Sequence, residues 1–309
     1  MFDLGRIDAP ITRKEVLSRD GTPIRVYVAG RGQHNLVLAP GLGANLLCWK
    51  YILEGFQGVY RITTWDPRGT YESGTPRDEG DLDLPHHVED MEAIVQSEGL
   101  QGFVLGGWSM GVQIALEYAI RHPGMARALV LINGHYGHLL HDVLDLPGAE
   151  ALCRGALRVL RIAMPALQPI APSVFQADWL PMVLARTGVL KEPVPLFRPI
   201  LKEFSSLDFH RYLGMIALLD RHTTEPNLHR IQVPTLITAG TNDFLTPPSV
   251  GRRLHALIPG SELVLLEGGT HYSMMEVPRA LHRAIEAFLR RVDPDAFAPC
   301  GPSTAGGFR

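Results

Sequence analysis

Short apolar runs that read as buried strands alternate with helical segments in both terminal parts of this 309-residue chain, and they are missing from the ninety residues between. Strands separated by helices, without strict in/out alternation, belong to a mainly parallel sheet covered on both faces. Near the N-terminus, residues 15–19 and 22–29 flank Asp20-Gly21, a dipeptide suited to a tight hairpin turn. Residues 36–39 and 60–65 read as strands with a helical stretch around 46–53 between them. A helix is expected over 85–97, a strand at 103–106, a helix at 110–121 closed by His122-Pro123-Gly124, and a strand at 128–132. The same grammar returns as strand 235–239, helix 247–257, strand 262–266 and a last helix over 278–292. That helix places Leu281, Ile285, Phe288, Leu289 and Val292 on one face.

From His135 to Glu225 the texture changes. Leu, Met, Phe and Ala stand in helical runs broken by Pro147, Pro165, Pro169, Pro172, Pro181, Pro193, Pro195 and Pro199. The division read from this is a core of residues 1–134 and 226–292, a helical cap over 135–225, and a disordered tail over 293–309. Apolar residues at 46% and charged ones at 20% suit a globular chain with a sizeable core. A net charge of −3 and a pI near 6.5 speak against a nucleic-acid binder. No stretch approaches the ~18 apolar residues of a membrane span. The first twenty residues carry Asp3, Arg6, Asp8, Arg13, Lys14 and Glu15, so they hold no apolar leader core. Cys48, Cys153 and Cys300 make no disulfide framework, and the expected location is the cytoplasm.

Gly107-Trp108-Ser109-Met110-Gly111 matches G-x-S-x-G, a sharp strand-to-helix turn that exposes a serine hydroxyl. Chance alone supplies roughly one tenth of such a match in a chain of this composition. Its position decides the matter, since a buried strand runs into it and an amphipathic helix follows at once. A serine is a poor nucleophile until a base takes its proton, and His271 stands in a loop just after the last strand. An acid must orient that histidine; Asp243 follows strand 235–239 at the same edge of the sheet. Asn133, after the strand before the insertion, cannot ionise. Oxyanion donors are expected from the backbone N–H of Met110 and, in the glycine-rich segment Ala39-Pro40-Gly41-Leu42-Gly43, from that of Leu42. This segment has neither the lysine nor the spacing of a phosphate loop.

Together these features resemble the α/β-hydrolase superfamily, in its capped, single-domain branch. The likeness extends to Trp65-Asp66-Pro67-Arg68-Gly69 with Ser73, similar to the family's D-x-R-G-x-G-x-S loop, and to His271 with Glu276-Val277-Pro278, similar to its G-H-x-x-x-x-E-x-P segment. The resemblance implies a mainly parallel eight-stranded sheet flanked by helices, with a helical cap inserted after strand 6. Three departures stand out. Pro40-Gly41 replaces the usual His-Gly, Thr70 and Tyr71 replace His and Gly, and Thr270 replaces the glycine before the histidine. Tyr71 then becomes a pocket candidate, beside Trp108 and His135.

The implied activity is hydrolysis of a small hydrophobic carboxylic ester by Ser109, His271 and Asp243 through an acyl-enzyme, with no cofactor and no metal. Serine at the elbow argues against dehalogenase and epoxide hydrolase relatives, which use aspartate there. Lactone, thioester or C–C cleavage and acyl transfer by the same triad remain open, and a non-catalytic ligand receptor is the alternative from another class. His135, His138 and His141 at three-residue spacing would neighbour one another on a helix, but Gly137 lies among them and no Asp or Glu ligand is obligatory, so they read as pocket-lining or exposed residues. His86-His87 reads as surface, and Cys48 as a small buried apolar residue. Trp49 and Trp108 read equally as core or as substrate contacts.

Overall fold

Alternate side chains along each central strand enter two separate apolar layers, which is why helices cover both faces of the sheet. The computed structural model describes residues 7–143, 148–192 and 194–298; Pro147, Pro193 and Cys300 lie outside them. The strands are β1 (Ile11–Leu17), β2 (Pro23–Ala29), β3 (His34–Ala39), β4 (Tyr60–Trp65), β5 (Phe103–Trp108), β6 (Ala126–Ile132), β7 (Thr235–Gly240) and β8 (Glu262–Leu266). They form one sheet in the order β1-β2-β4-β3-β5-β6-β7-β8. Only β2 runs against its neighbours; the strands from β4 to β8 are paired in parallel.

Helices α1 (Lys50–Phe56), α2 (Leu84–Ser97) and α3 (Met110–Arg121) follow β3, β4 and β5. Between β6 and β7 stand α4 (Ala149–Leu167), α5 (Ala171–Phe175), α6 (Leu180–Arg186), α7 (Phe197–Phe204) and α8 (Phe209–Leu219). Then come α9 (Pro248–Leu257), α10 (Ser273–Glu276) and α11 (Pro278–Val292). Val37 and Ala39 of β3 and Phe103 and Leu105 of β5 pack with α2, α3 and α9. The intervening Leu36, Leu38 and Val104 pack with α1 and α11. This is the two-residue period of a strand read out as two cores.

Arg68, fully buried, ties the loop after β4 to its surroundings. Its Nε and Nη2 donate to the two oxygens of Asp90 in α2 at 2.8 and 2.5 Å. Nη1 reaches Asp20 in the β1–β2 connection at 3.0 Å. His87, expected at the surface, is instead completely buried beside this network, because the apolar face of α2 turns it inward. The β1–β2 hairpin also differs from expectation. β1 begins at Ile11, and residues 18–22 form a wider connection, with the Gly21 N–H donating to Ser18 at φ +83°.

The insertion leaves and re-enters the sheet through a narrow neck. Gly137 bridges Thr223, the His138 N–H donates to His222 O at 2.9 Å, and the Thr224 N–H and hydroxyl both reach Tyr136 O at 2.8 Å. A Cβ on Gly137 would lie 2.3 Å from Thr223 Cα, so only glycine fits there. At the other end of the chain, the tail expected to be disordered from Asp293 is folded as far as Ala298. The buried Asp293 carboxylate accepts from Tyr60 at 3.0 Å and Arg127 at 2.8 Å, and Phe297 meets the Tyr60 ring edge-on. Residues 299–309 lie outside the described residues.

Candidate active site

Ser109 is the single residue between β5 and α3, with φ 56° and ψ −118°. A side-chain-bearing residue in this region stores strain of about 1–3 kcal/mol and persists only where its surroundings impose it. Two glycines make that possible. A Cβ on Gly107 would fall 2.2 Å from Gly111 O, and one on Gly111 would fall 1.9 Å from Ala39 O. The strand, the turn and the first turn of α3 therefore approach as bare backbone, and the Ser109 N–H donates to Ile132 O of β6 at 3.1 Å.

The other two residues arrive from neighbouring strand ends. His271, in the loop after β8, places Nε2 2.9 Å from Ser109 Oγ and Nδ1 2.9 Å from Asp243 Oδ2. With Nδ1–H donating to the carboxylate, Nε2 presents its lone pair to the serine hydroxyl. The loop is held by Trp108, whose Nε1–H donates to His271 O at 3.0 Å. Asp243 follows β7 and is buried, which alone would raise its pKa. The His271 ring beside it, with further hydrogen bonds from Asn133 and Thr246, instead holds it below the usual carboxylate range.

Thr246 was not singled out in the sequence, and Asn133 was weighed there only as an acid and set aside because it cannot ionise. Thr246 donates through Oγ1 to Asp243 Oδ2 at 2.6 Å and through its N–H to Oδ1 at 2.8 Å. The signal was available, since an aspartate followed three residues later by threonine suits an Asx-type turn. Asn133 spans three parts of the site from φ 41°. Its Nδ2 donates to Asp243 Oδ2 at 3.0 Å and to Thr270 O at 3.1 Å, while its Oδ1 accepts from Ser273 Oγ at 2.5 Å. Thr270 has no positive φ, so a side chain is tolerated where glycine is usual. Its N–H and hydroxyl both donate to Glu276 Oε2, at 3.0 and 2.9 Å.

Residues 40–43 pass directly against the elbow. A Cβ on Gly41 would lie 2.9 Å from the Trp108 ring and 3.2 Å from Ser109 Cβ. Among the described residues, nothing accepts a hydrogen bond from the N–H of Leu42 or of Met110. Tyr71, expected in the pocket, is not there. Its backbone turns at φ 44°, and its hydroxyl donates to Gly43 O at 2.6 Å, which braces this loop from outside. His135 is also elsewhere. Its Nδ1 accepts from Gly137 N–H at 3.0 Å and its Nε2 meets Asp142 at 2.8 Å, so both ring nitrogens hold the ring against the neck. His138 and His141 bond separately to Asp220 O and Glu150.

Ser109 and His271 open into a cavity of about 370 Å³. Leu42, Trp108 and Cys48 line it from the core, and Phe197, Phe204 and Ile216 from cap helices α7 and α8. Trp108 is thus both core and wall, whereas Trp49 is core alone. Burial pushes the Cys48 thiol up to about 12, so it is not an ionised nucleophile near neutral pH.

The model of the alpha/beta hydrolase family matches residues 36–284. The chain belongs to that family. A relative from Pseudomonas savastanoi pv. phaseolicola, which carries the name carbamate hydrolase RutD, is 28% identical over 82% of this chain and 93% of its own length. Among solved structures, the esterase EaEST from Exiguobacterium antarcticum is similar with a TM-score of 0.71 and 22% identity, covering 90% of this hydrolase and all (100%) of that chain. The enol-lactonase from Burkholderia xenovorans LB400 is similar with a TM-score of 0.70 and 21% identity, over 89% and 99% of the two chains. These two likenesses are of fold.

Proposed function

We propose that this alpha/beta hydrolase is a serine hydrolase that cleaves carboxylic esters carrying a hydrophobic group. The observation that carries the reading is the pair of 2.9 Å contacts, Ser109 to His271 and His271 to Asp243, at the wall of an apolar cavity. Ser109 Oγ attacks the ester carbonyl as its proton passes to His271 Nε2. Negative charge on the former carbonyl oxygen is met by the Leu42 and Met110 N–H groups, each worth on the order of 3 kcal/mol. The tetrahedral adduct collapses to an acyl-serine, and the alcohol leaves with the proton from His271. Water then repeats the sequence, releasing the acid and restoring the serine hydroxyl.

The cavity also supports a substrate class. Its described lining holds no Asp, Glu, Lys or Arg, and its polar members beyond Ser109 and His271 are few, among them Thr246 and Tyr212. A charged group inside would lose its hydration without a partner. Hydrophobic esters are therefore expected to outpace both charged esters and small polar carbamates. The test is turnover of short p-nitrophenyl esters by wild type and Ser109→Ala. The variant should lose about a thousandfold or more in kcat, keep the wild-type melting temperature, and escape labelling by a fluorophosphonate that marks the wild type. Undiminished hydrolysis by the variant would remove the mechanism.

A further inference from the structure

Among the described residues, ten of the twelve large apolar side chains that stand exposed lie between Leu152 and Val183 in the cap. On α4, Leu152, Val159, Leu160, Ile162 and Leu167 fall within one arc of roughly 160° at 3.6 residues per turn. Val159 and Ile162 are 65% and 76% exposed. The opposite side of the helix is the one held to the protein, for Gln168 exchanges hydrogen bonds with Leu207 O and the Phe209 N–H. An amphipathic helix is thus attached by its mixed face and offers its apolar face to the outside.

Charge adjoins that stripe. From Ala151 to Ala177 the chain has Arg154, Arg158 and Arg161 and no acidic residue, although its net charge is −3. Arg158 adjoins Ile162 around the helix, Arg154 and Arg161 follow toward the side held to the protein, and all three enter a second cavity, of about 680 Å³, shared with Arg221, His138 and His210. Arg154 is neutralised by Glu150 and Asp220. Arg158, Arg161 and Arg221 have no ion pair among the described residues, and Arg161 Nε is buried with no acceptor. Leu140 lines both this cavity and the one beside Ser109.

We propose that the outer face of the cap docks the enzyme onto an anionic lipid bilayer. The apolar stripe of α4 enters the boundary of the acyl chains, while the exposed Arg158 and Arg221 beside it meet lipid phosphates. Among the described residues no helix is long and apolar enough to cross a membrane, so the contact lies along the surface. A second copy of the chain fits this face less well, because a two-fold contact would bring the unpaired Arg158 and Arg221 of one copy toward those of the other. The proposal does not rest on the hydrolytic reading, and Ser109→Ala is expected to bind as the wild type does.

The experiment is co-sedimentation of the whole chain with phosphatidylcholine vesicles, with and without an equal share of phosphatidylglycerol. Binding is expected on the anionic vesicles alone and should weaken with added salt. Since each arginine near an anionic surface is worth about fivefold in affinity, Arg158→Glu with Arg221→Glu should lower it by well over tenfold. Val159→Glu with Ile162→Glu should abolish it, and both pairs should keep the wild-type melting temperature because these positions are poorly buried. The absence of wild-type binding, equal binding to both vesicle types, or binding that survives both pairs would overturn the proposal. So would a concentration-dependent dimer that Val159→Glu with Ile162→Glu dissolves while vesicles bind nothing.

Discussion

Every residue of β5 from Phe103 to Trp108 is buried, whereas α4, three times as long, buries only Ala149. Polar groups divide the same way. Arg68, Asp90, Asp243 and Asn133 lie deep in the core, held in short hydrogen bonds, while Arg158 and Arg221 of the cap stand exposed beside open space. The core needs those buried groups to hold strand-end loops in one arrangement, because an unpaired polar group there costs more than its partner ever gains. Residues on the outer face of the cap carry no such constraint. Their identities are free to answer to the surface that the molecule meets.

The comparison can be broken at three levels. Arg68→Ala should act most strongly, leaving the Asp90 carboxylate buried and uncompensated at a cost of about 3–5 kcal/mol; an unchanged urea midpoint would show that the core network is not what holds the hairpin to α2. Asp66 comes next. Burial pushes its carboxyl up to about 6, despite hydrogen bonds from Tyr27 and the Glu72 N–H. The folded chain then binds a proton that the unfolded chain has lost, so this group's contribution to stability is full below about pH 4 and declines as pH rises through 6. Asp66→Asn should remove a fall of up to about 3 kcal/mol across that window, visible as a flatter melting temperature against pH. Asp243, held low rather than high, contributes in the opposite sense: its stabilisation is present at neutral pH and lost as acid reaches its lowered value. The smallest effect is expected in the cap, where Val159→Ser should shift stability by less than about 0.5 kcal/mol. A large loss there, measured by urea unfolding, would mean that the stripe is covered in the isolated protein.

Most of the frame was legible because its signals are local. Met110–Arg121, Tyr60–Trp65 and Glu262–Leu266 occur as the apolar periodicity and the flanking Pro and Gly predicted. β1 was read short because it is the edge of the sheet, and ITRKEVL exposes Thr12, Arg13, Glu15 and Leu17. Ser109, His271 and Asp243 could be named because each follows a strand, and the carboxyl ends of neighbouring parallel strands share one edge. Tyr71 and His135 were misplaced for the converse reason. Where their side chains point depends on Gly43 O and Asp142, partners that periodicity does not reveal. The surroundings of Asp293 were hidden in the same way, since its stabilising partners, Tyr60 and Arg127, lie far off in the chain.

The neck at Tyr136–His138 and His222–Thr224 has a consequence for how such a protein diversifies. Because the insertion departs and returns at adjacent points, its ends need no adjustment when its contents are lengthened, shortened or exchanged. Recombination at two junctions, remote in the gene and touching in space, would hand the same chemical engine a new appetite or a new address and leave its gearing untouched.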